Sequence, residues 1–155
     1  GLDRDFPRAF AKSQLAAGTV LPVKGTVFIS VRDGDKKAAH RIAQRFTAMG
    51  FKVIATRGTQ KALAEMGLAV EIVNKVAEGR PHCVDAMIDG NVQMVVNTTE
   101  GAQAIKDSFA IRRTALTRNI CHYTTLSGAE AAIEAIAALK DGALDVAPLQ
   151  SYFKQ

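Results

Sequence analysis

Thr26-Val-Phe-Ile-Ser30, Val31-Arg-Asp-Gly-Asp-Lys36, the segment from Lys37 to Gly50, and Phe51-Lys-Val-Ile-Ala55 follow one another without a break, and their reading decides the fold. The first five residues are a short β-branched and aromatic run, the composition of a buried strand. Ala39, Ile42, Phe46 and Met49 then recur at helical spacing. Asp35 is placed to cap that helix at its start and Gly50 to end it. A second β-branched run begins at once. Strand, helix, strand in this order is one right-handed crossover of a parallel sheet.

The same alternation continues to the end of the chain. Val70-Glu-Ile-Val73, Val92-Gln-Met-Val-Val96 and Ile120-Cys-His-Tyr-Thr124 read as three more strands, with amphipathic stretches between them. Ser127 with Glu130 forms a capping-box pair opening an Ala/Ile-rich helix to Lys140. This predicts the α/β class: a three-layer α/β/α domain with a five-stranded, mainly parallel sheet, flavodoxin-like or Rossmann-like. The front differs. Phe6-Pro-Arg-Ala-Phe-Ala-Lys-Ser-Gln-Leu15 predicts a short helix, and Leu21-Pro-Val-Lys-Gly25 reads as a linker, so the boundary falls between segment 1–23 and domain 24–155. Because the chain begins with Gly, it is expected to be a piece of something longer.

Composition narrows the function. The 155 residues carry 20 Lys and Arg against 15 Asp and Glu, a net charge of +5, and 48% are hydrophobic. That supports one core in one domain. No uncharged apolar run reaches the length of a membrane span, and Asp3, Arg4, Asp5, Arg8 and Lys12 interrupt any secretion signal, so membrane and export readings are set aside. Cys83 and Cys121 are the only cysteines and form no CxxC pair, which suits a reducing cytoplasm and supports neither disulfide nor zinc. Aromatic residues are 6% of the chain, Trp is absent, and Phe28, Phe46 and Phe51 sit in apolar patterns; no nucleic-acid surface is expected.

In an open parallel sheet, ligands bind at the carboxyl ends of the strands. Here those ends are uniformly polar: Ser30 to Lys36, Thr56-Arg-Gly-Thr59, Asn74-Lys75, Asn97-Thr98-Thr99-Glu-Gly101 and Thr124-Thr125. Hydroxyls and helix N-termini with lysines alongside make a site for phosphate or carboxylate, without a metal. There is no GxxxxGK[ST], no GxGxxG after a strand and no GxSxG elbow, which disfavours an NTPase, a dinucleotide enzyme and a serine hydrolase. His40 reads as solvated, and His82 and His122 have no partner evident in the sequence. Arg112 and Arg113 could reach an anion or a neighbouring domain, or serve as surface salt bridges. Lys36 and Thr59 lie on strand-to-helix turns, where truncation is expected to remove a ligand contact and leave the fold intact.

These strand-end motifs, together with Val73-Asn-Lys-Val-Ala-Glu-Gly-Arg-Pro-His82 and Asp107-Ser-Phe-Ala-Ile-Arg-Arg113, resemble the C-terminal regulatory domain of the carbamoyl-phosphate synthase large subunit. The front helix resembles the last helix of that subunit's second ATP-grasp half. The resemblance implies a methylglyoxal-synthase-like fold and an allosteric module for a nucleoside monophosphate, UMP or in some members IMP, which controls carbamoyl phosphate synthesis for pyrimidine and arginine biosynthesis. Partners would be the ATP-grasp regions of the same chain and the small glutaminase subunit. ATP with Mg²⁺ or Mn²⁺ would bind elsewhere in that subunit, and this fragment would need no cofactor and perform no catalysis.

By position, the resemblance makes Ser30, Lys36, Thr56, Thr59 and Lys75 phosphate and ribose contacts, Asn97, Thr98 and Thr99 a central loop, and Asp107 and Ser108 the base-side edge. One departure lies at Tyr123, where some members carry an Asp that communicates with an ornithine site; activation by ornithine is therefore not carried over. The competing reading is a methylglyoxal synthase, a lyase acting on dihydroxyacetone phosphate. That family's aspartate base has no match here, since Asp85 stands three residues beyond the position and inside a predicted helix, and Asn97-Thr-Thr99 replaces the Trp-Asp-Pro loop. Residues 1–23 are expected to pack poorly on the rest, leaving the apolar face of Phe6, Phe10 and Leu15 exposed or taken up by a neighbouring copy.

Overall fold

Period-two alternation in the strands produces two buried sheet faces. In a computed structural model, which describes residues 1–153 apart from the side chains of Gln103 and Asp107, the strands are β1 (Thr26–Ser30), β2 (Lys52–Thr56), β3 (Glu71–Val73), β4 (Met94–Asn97) and β5 (Cys121–Tyr123). They form one sheet in the order β3-β2-β1-β4-β5, and every pairing is parallel. Val27 and Ile29 of β1, Val53 and Ala55 of β2, and Met94 and Val96 of β4 point to one face. Phe28, Ile54 and Val95 point to the other.

Helices cover both faces, as a parallel sheet requires. They are α1 (Phe6–Ala16), α2 (Lys36–Ala48), α3 (Arg57–Glu65), α4 (Cys83–Ile88), α5 (Ala102–Asp107), α6 (Phe109–Thr117) and α7 (Leu126–Asp141). The first face meets Ala11 of α1, Ile42 and Phe46 of α2, Leu63 of α3, and Ile133 and Ile136 of α7. The second meets Cys83 and Met87 of α4 and Ile111 and Ala115 of α6. The three-layer α/β/α fold with a five-stranded parallel sheet is thus present.

Three local expectations are corrected. Asp35 occupies the position before α2 but makes no capping bond, because Arg32 Nε holds its carboxylate at 2.9 Å. The cap of α7 is Thr125, whose hydroxyl accepts from Gly128 N at 3.1 Å; Ser127 lies inside the helix. Segment 1–23 does not pack poorly. Ala11 and Leu21 are buried in the main core, Phe10 packs against it, and Tyr123 Oη donates to Gln14 Oε1 at 3.1 Å. Phe6 and Leu15 are exposed as expected. The reason is geometric: α7 presents small residues, Ala129, Ala132 and Ala135, which let a second helix approach.

Candidate functional site

The order β3-β2-β1-β4-β5 places the topological switch between β1 and β4, where the chain leaves the sheet in opposite directions and opens a crevice. A cleft of about 630 Å³ lies there. Its walls come from the loop after β1, the loop after β3, the loop after β4, and the inner side of α5 and α6.

Hydrogen bonds, more than apolar packing, set this rim. Ser30 O accepts from Thr98 N at 3.1 Å and from Asn97 Nδ2 at 3.2 Å, which ties the ends of β1 and β4 together. Thr98 Oγ1 accepts from Arg32 N at 3.2 Å, and Thr99 Oγ1 accepts from the Arg112 guanidinium at 2.9 Å. Ser30 Oγ accepts from Thr56 Oγ1 at 3.2 Å. Thr99 Oγ1 thus accepts from the protein and keeps its own proton to donate, whereas the Thr98 hydroxyl also hydrogen-bonds the Asp35 carboxylate. Asn97 Oδ1 and Arg112 Nε are buried with no hydrogen-bond partner among the described residues.

Of the ten residues expected at the site, Ser30, Lys75, Asn97, Thr98, Thr99 and Ser108 line the cleft. Thr56 and Thr59 lie beneath it, each 2% exposed. Thr59 Oγ1 accepts from Val31 N at 3.2 Å, so this hydroxyl holds the β1 loop, and its truncation would orphan a buried N–H. Lys36 stands beside the cleft: its ammonium pairs with Asp33 at 2.8 Å and reaches over Gly58, where an added Cβ would lie 3.7 Å away. Asp107 closes α5, and its side chain is outside the described set. The fifth strand end takes no part, since Thr124 and Thr125 do not line the cleft and Thr125 caps α7.

Arg32 and Lys106 also line the cleft, though neither was among the ten residues expected at the site. The signal for Arg32 was its place directly after a strand end. It is bound to Asp35 and, across the mouth, to Glu100 at 3.3 Å; these partners raise its pKa, Asp35 first.

Asp85 is engaged elsewhere. Arg80 holds one carboxylate oxygen, and the other accepts from His82 N at 2.9 Å, while His82 Nδ1 accepts from Asp85 N at 3.2 Å. Arg80's hydrogen bond, with that from His82 N, holds the Asp85 carboxyl below the usual carboxylate range. His82 thus has its partner in a reciprocal cap of α4, and neither residue lines the cleft. Burial pushes the Cys83 and Cys121 thiols up to about 11, which keeps them protonated near neutrality. Among the described residues, no group of three His, Cys, Asp or Glu could hold a metal, and no helix is long and apolar enough to cross a membrane.

A parallel α/β sheet with a polar crevice at its switch point is the setting in which a known class appears: the chain belongs to the MGS-like domain family, whose model matches residues 38–124. Methylglyoxal synthase from Elizabethkingia anophelis NUHP1 shares the fold, with a TM-score of 0.62 over 87% of this chain and 93% of that one, at 18% identity. Within the family, its homologues are carbamoyl phosphate synthase large chains. It is 58% identical to the large chain of Mesorhizobium japonicum and 52% to that of Brucella suis, each over 99% of this chain, and 49% to that of Myxococcus xanthus over 98%. The chain spans only 13 to 14% of the length of these relatives.

Proposed function

We propose that the chain is the allosteric regulatory domain of a glutamine-dependent carbamoyl-phosphate synthase large chain. Its cleft binds a nucleoside monophosphate, UMP or IMP, and the signal passes to ATP sites elsewhere in a cytoplasmic enzyme that supplies pyrimidine and arginine synthesis. Catalysis, with ATP and Mg²⁺ or Mn²⁺, belongs to the ATP-grasp regions, and ammonia comes from the glutaminase subunit. Segment 1–23 then corresponds to the end of the preceding ATP-grasp region and 24–155 to the regulatory domain.

One observation carries this reading. Ser30, Thr98 and Thr99 set three hydroxyls beside Lys75 and Arg32 on the wall of one cleft, a polar and basic rim suited to a phosphoryl group. Asp85 is tied into the α4 cap, and the two carboxylates that line the cleft, Asp33 and Glu100, are paired with Lys36 and Arg32, so among the described residues the lyase reading finds no unpaired carboxylate base in the cleft. Ser108 and Ile111 would face the nucleobase, with Asp107 as a further base-side contact; Lys36, Thr56 and Thr59 would support the phosphate end.

Calorimetric titration of the chain with UMP and IMP tests it. Binding is expected in the micromolar to millimolar range, and Lys75→Ala should weaken it by about 10- to 150-fold, the worth of a hydrogen bond to a charged group. No heat or chemical-shift change at millimolar ligand would overturn the proposal. In a complete large chain, the same substitution should blunt nucleotide control without lowering the uninhibited rate.

A further inference from the structure

Two basic side chains at the cleft already hold carboxylates: Lys36 pairs with Asp33, and Arg32 with Asp35 and Glu100. Asp33 stands on the short turn Asp33–Asp35 after β1 and lines the cleft. Its side chain is 95% exposed, yet its Oδ1 lies 2.8 Å from Lys36 Nζ. Lys75 lines the same cleft from the loop after β3. Lys36, chiefly through the hydrogen bond, and Lys75, through its charge, together hold the Asp33 carboxyl below the usual carboxylate range. A carboxylate set in the field of two lysines is chemically an anion already resident there, an oxygen acceptor of the same kind as a phosphoryl oxygen. Glu100 repeats the pattern on Arg32 from the opposite loop.

Resting on the proposed phosphate site, we infer that Asp33 is a built-in competitor for it, an internal anion that an incoming phosphoryl group must displace from Lys36. The consequence is a charge threshold. A monoanionic carboxylate ligand offers Lys36 no more than Asp33 already does, and it loses translational freedom on binding. A phosphate monoester carries nearly two charges at neutral pH and interacts with Lys36 and Lys75 together. Asp33 therefore lowers affinity for every anion and selects phosphoryl groups over carboxylates. Its exposure is what makes it displaceable, since the turn can swing the side chain into water with little loss of packing.

The test is calorimetry of the 155-residue chain with UMP and with inorganic phosphate, on wild type, Asp33→Asn and Asp33→Glu, with circular dichroism to confirm folding. Asp33→Asn should bind both ligands roughly three- to tenfold more tightly, from the lost competitor and the lost repulsion of the ligand. Asp33→Glu, which keeps the charge, should stay close to wild type. If folded Asp33→Asn binds no more tightly than wild type, the competitor role is wrong while the phosphate site stands. If Asp33→Glu binds as tightly as Asp33→Asn, charge is not the cause and the inference fails. If neither ligand binds any of the three folded chains, the phosphate site and the competitor fall together. Should Asp33→Asn lose its helix signal, Asp33→Ser decides on the same criteria.

Discussion

On one face of the sheet, α1, α2, α3 and α7 close over Val27, Ile29, Val53, Ala55, Met94 and Val96, and Phe46 meets Phe51 edge to face with ring centroids 5.5 Å apart. On the other, α4 and α6 cover Phe28, Ile54 and Val95 with Cys83, Met87, Ile111 and Ala115, and the cleft opens beside them. The first face is held by interlocked apolar side chains. The rim of the second is held by hydrogen bonds of hydroxyls and backbone. Packed cores tolerate few alternative arrangements, whereas a hydrogen-bonded rim can exchange a protein partner for a ligand. Damage to the first face should thus appear as lost stability, and damage to the second mainly as altered affinity.

The largest effect that could break this contrast comes from deleting residues 1–20. With Ala11 buried, Phe10 against the core and Gln14 bonded to Tyr123, α1 belongs to the first face. Its removal should cost on the order of 3 kcal/mol, the burial of one large side chain plus the α7 surface it covers, read as the fall in urea midpoint at unchanged slope. Nucleotide affinity of the folded remainder should not change. An unchanged midpoint would return α1 to the status of a loose appendage.

A position on the border sharpens the comparison. Thr59→Ala should lower stability by about 1–3 kcal/mol, because Val31 N–H is left unsatisfied in a buried setting. The sequence alone assigned this residue a ligand contact, with the fold left intact and any stability change ascribed in part to a helix-capping role. Urea unfolding, alongside calorimetry, separates the two roles, and a loss of affinity at full stability would restore the earlier assignment.

The smallest effect is the acid response of the second face. Asp85 is held below its ordinary carboxylate range by Arg80 and by His82 N–H. Its contribution is therefore complete above about pH 3.9, the ordinary value, and is lost as pH falls through the lower folded-state value. Asp85→Asn should be less stable than wild type near neutrality, and the gap should close on acidification. Urea unfolding between pH 7 and pH 2 would show this, and a gap constant with pH would mean that the charge on Asp85 does not matter.

Much of the architecture was legible because parallel strands between helices are short and strongly β-branched. Thr26–Ser30 coincides with β1, and the other four runs fall within one or two residues of the observed strands at each end. The trimmed ends have local causes. Gln93 leaves β4 because its side chain turns back to bond Thr26 N at 2.7 Å and Gly90 O at 2.7 Å. The caps were less legible, since Asp35 and Ser127 are good capping types whose neighbours offered better partners: Arg32 for the first, and Thr125 as the true cap in place of the second. The site was half legible: polar strand ends can be seen in a sequence, but which hydroxyls face solvent cannot.

The sequence by itself determined the α/β class, the five strands, and a cluster of hydroxyls, amides and lysines after them, because these follow from periodicity and local composition. Only the tertiary structure decided that β1 and β4 are neighbours, so that Ser30 and Asn97 to Thr99 share one crevice while Thr124 and Thr125 stand outside it. It also decided that Thr56 and Thr59 brace the crevice from below and that Asp33 holds Lys36. Strand order depends on which crossovers bury the most apolar surface across the whole sheet, and the partner of a hydroxyl or an ammonium depends on distances between loops far apart in the chain. Neither quantity is written in any local stretch of residues.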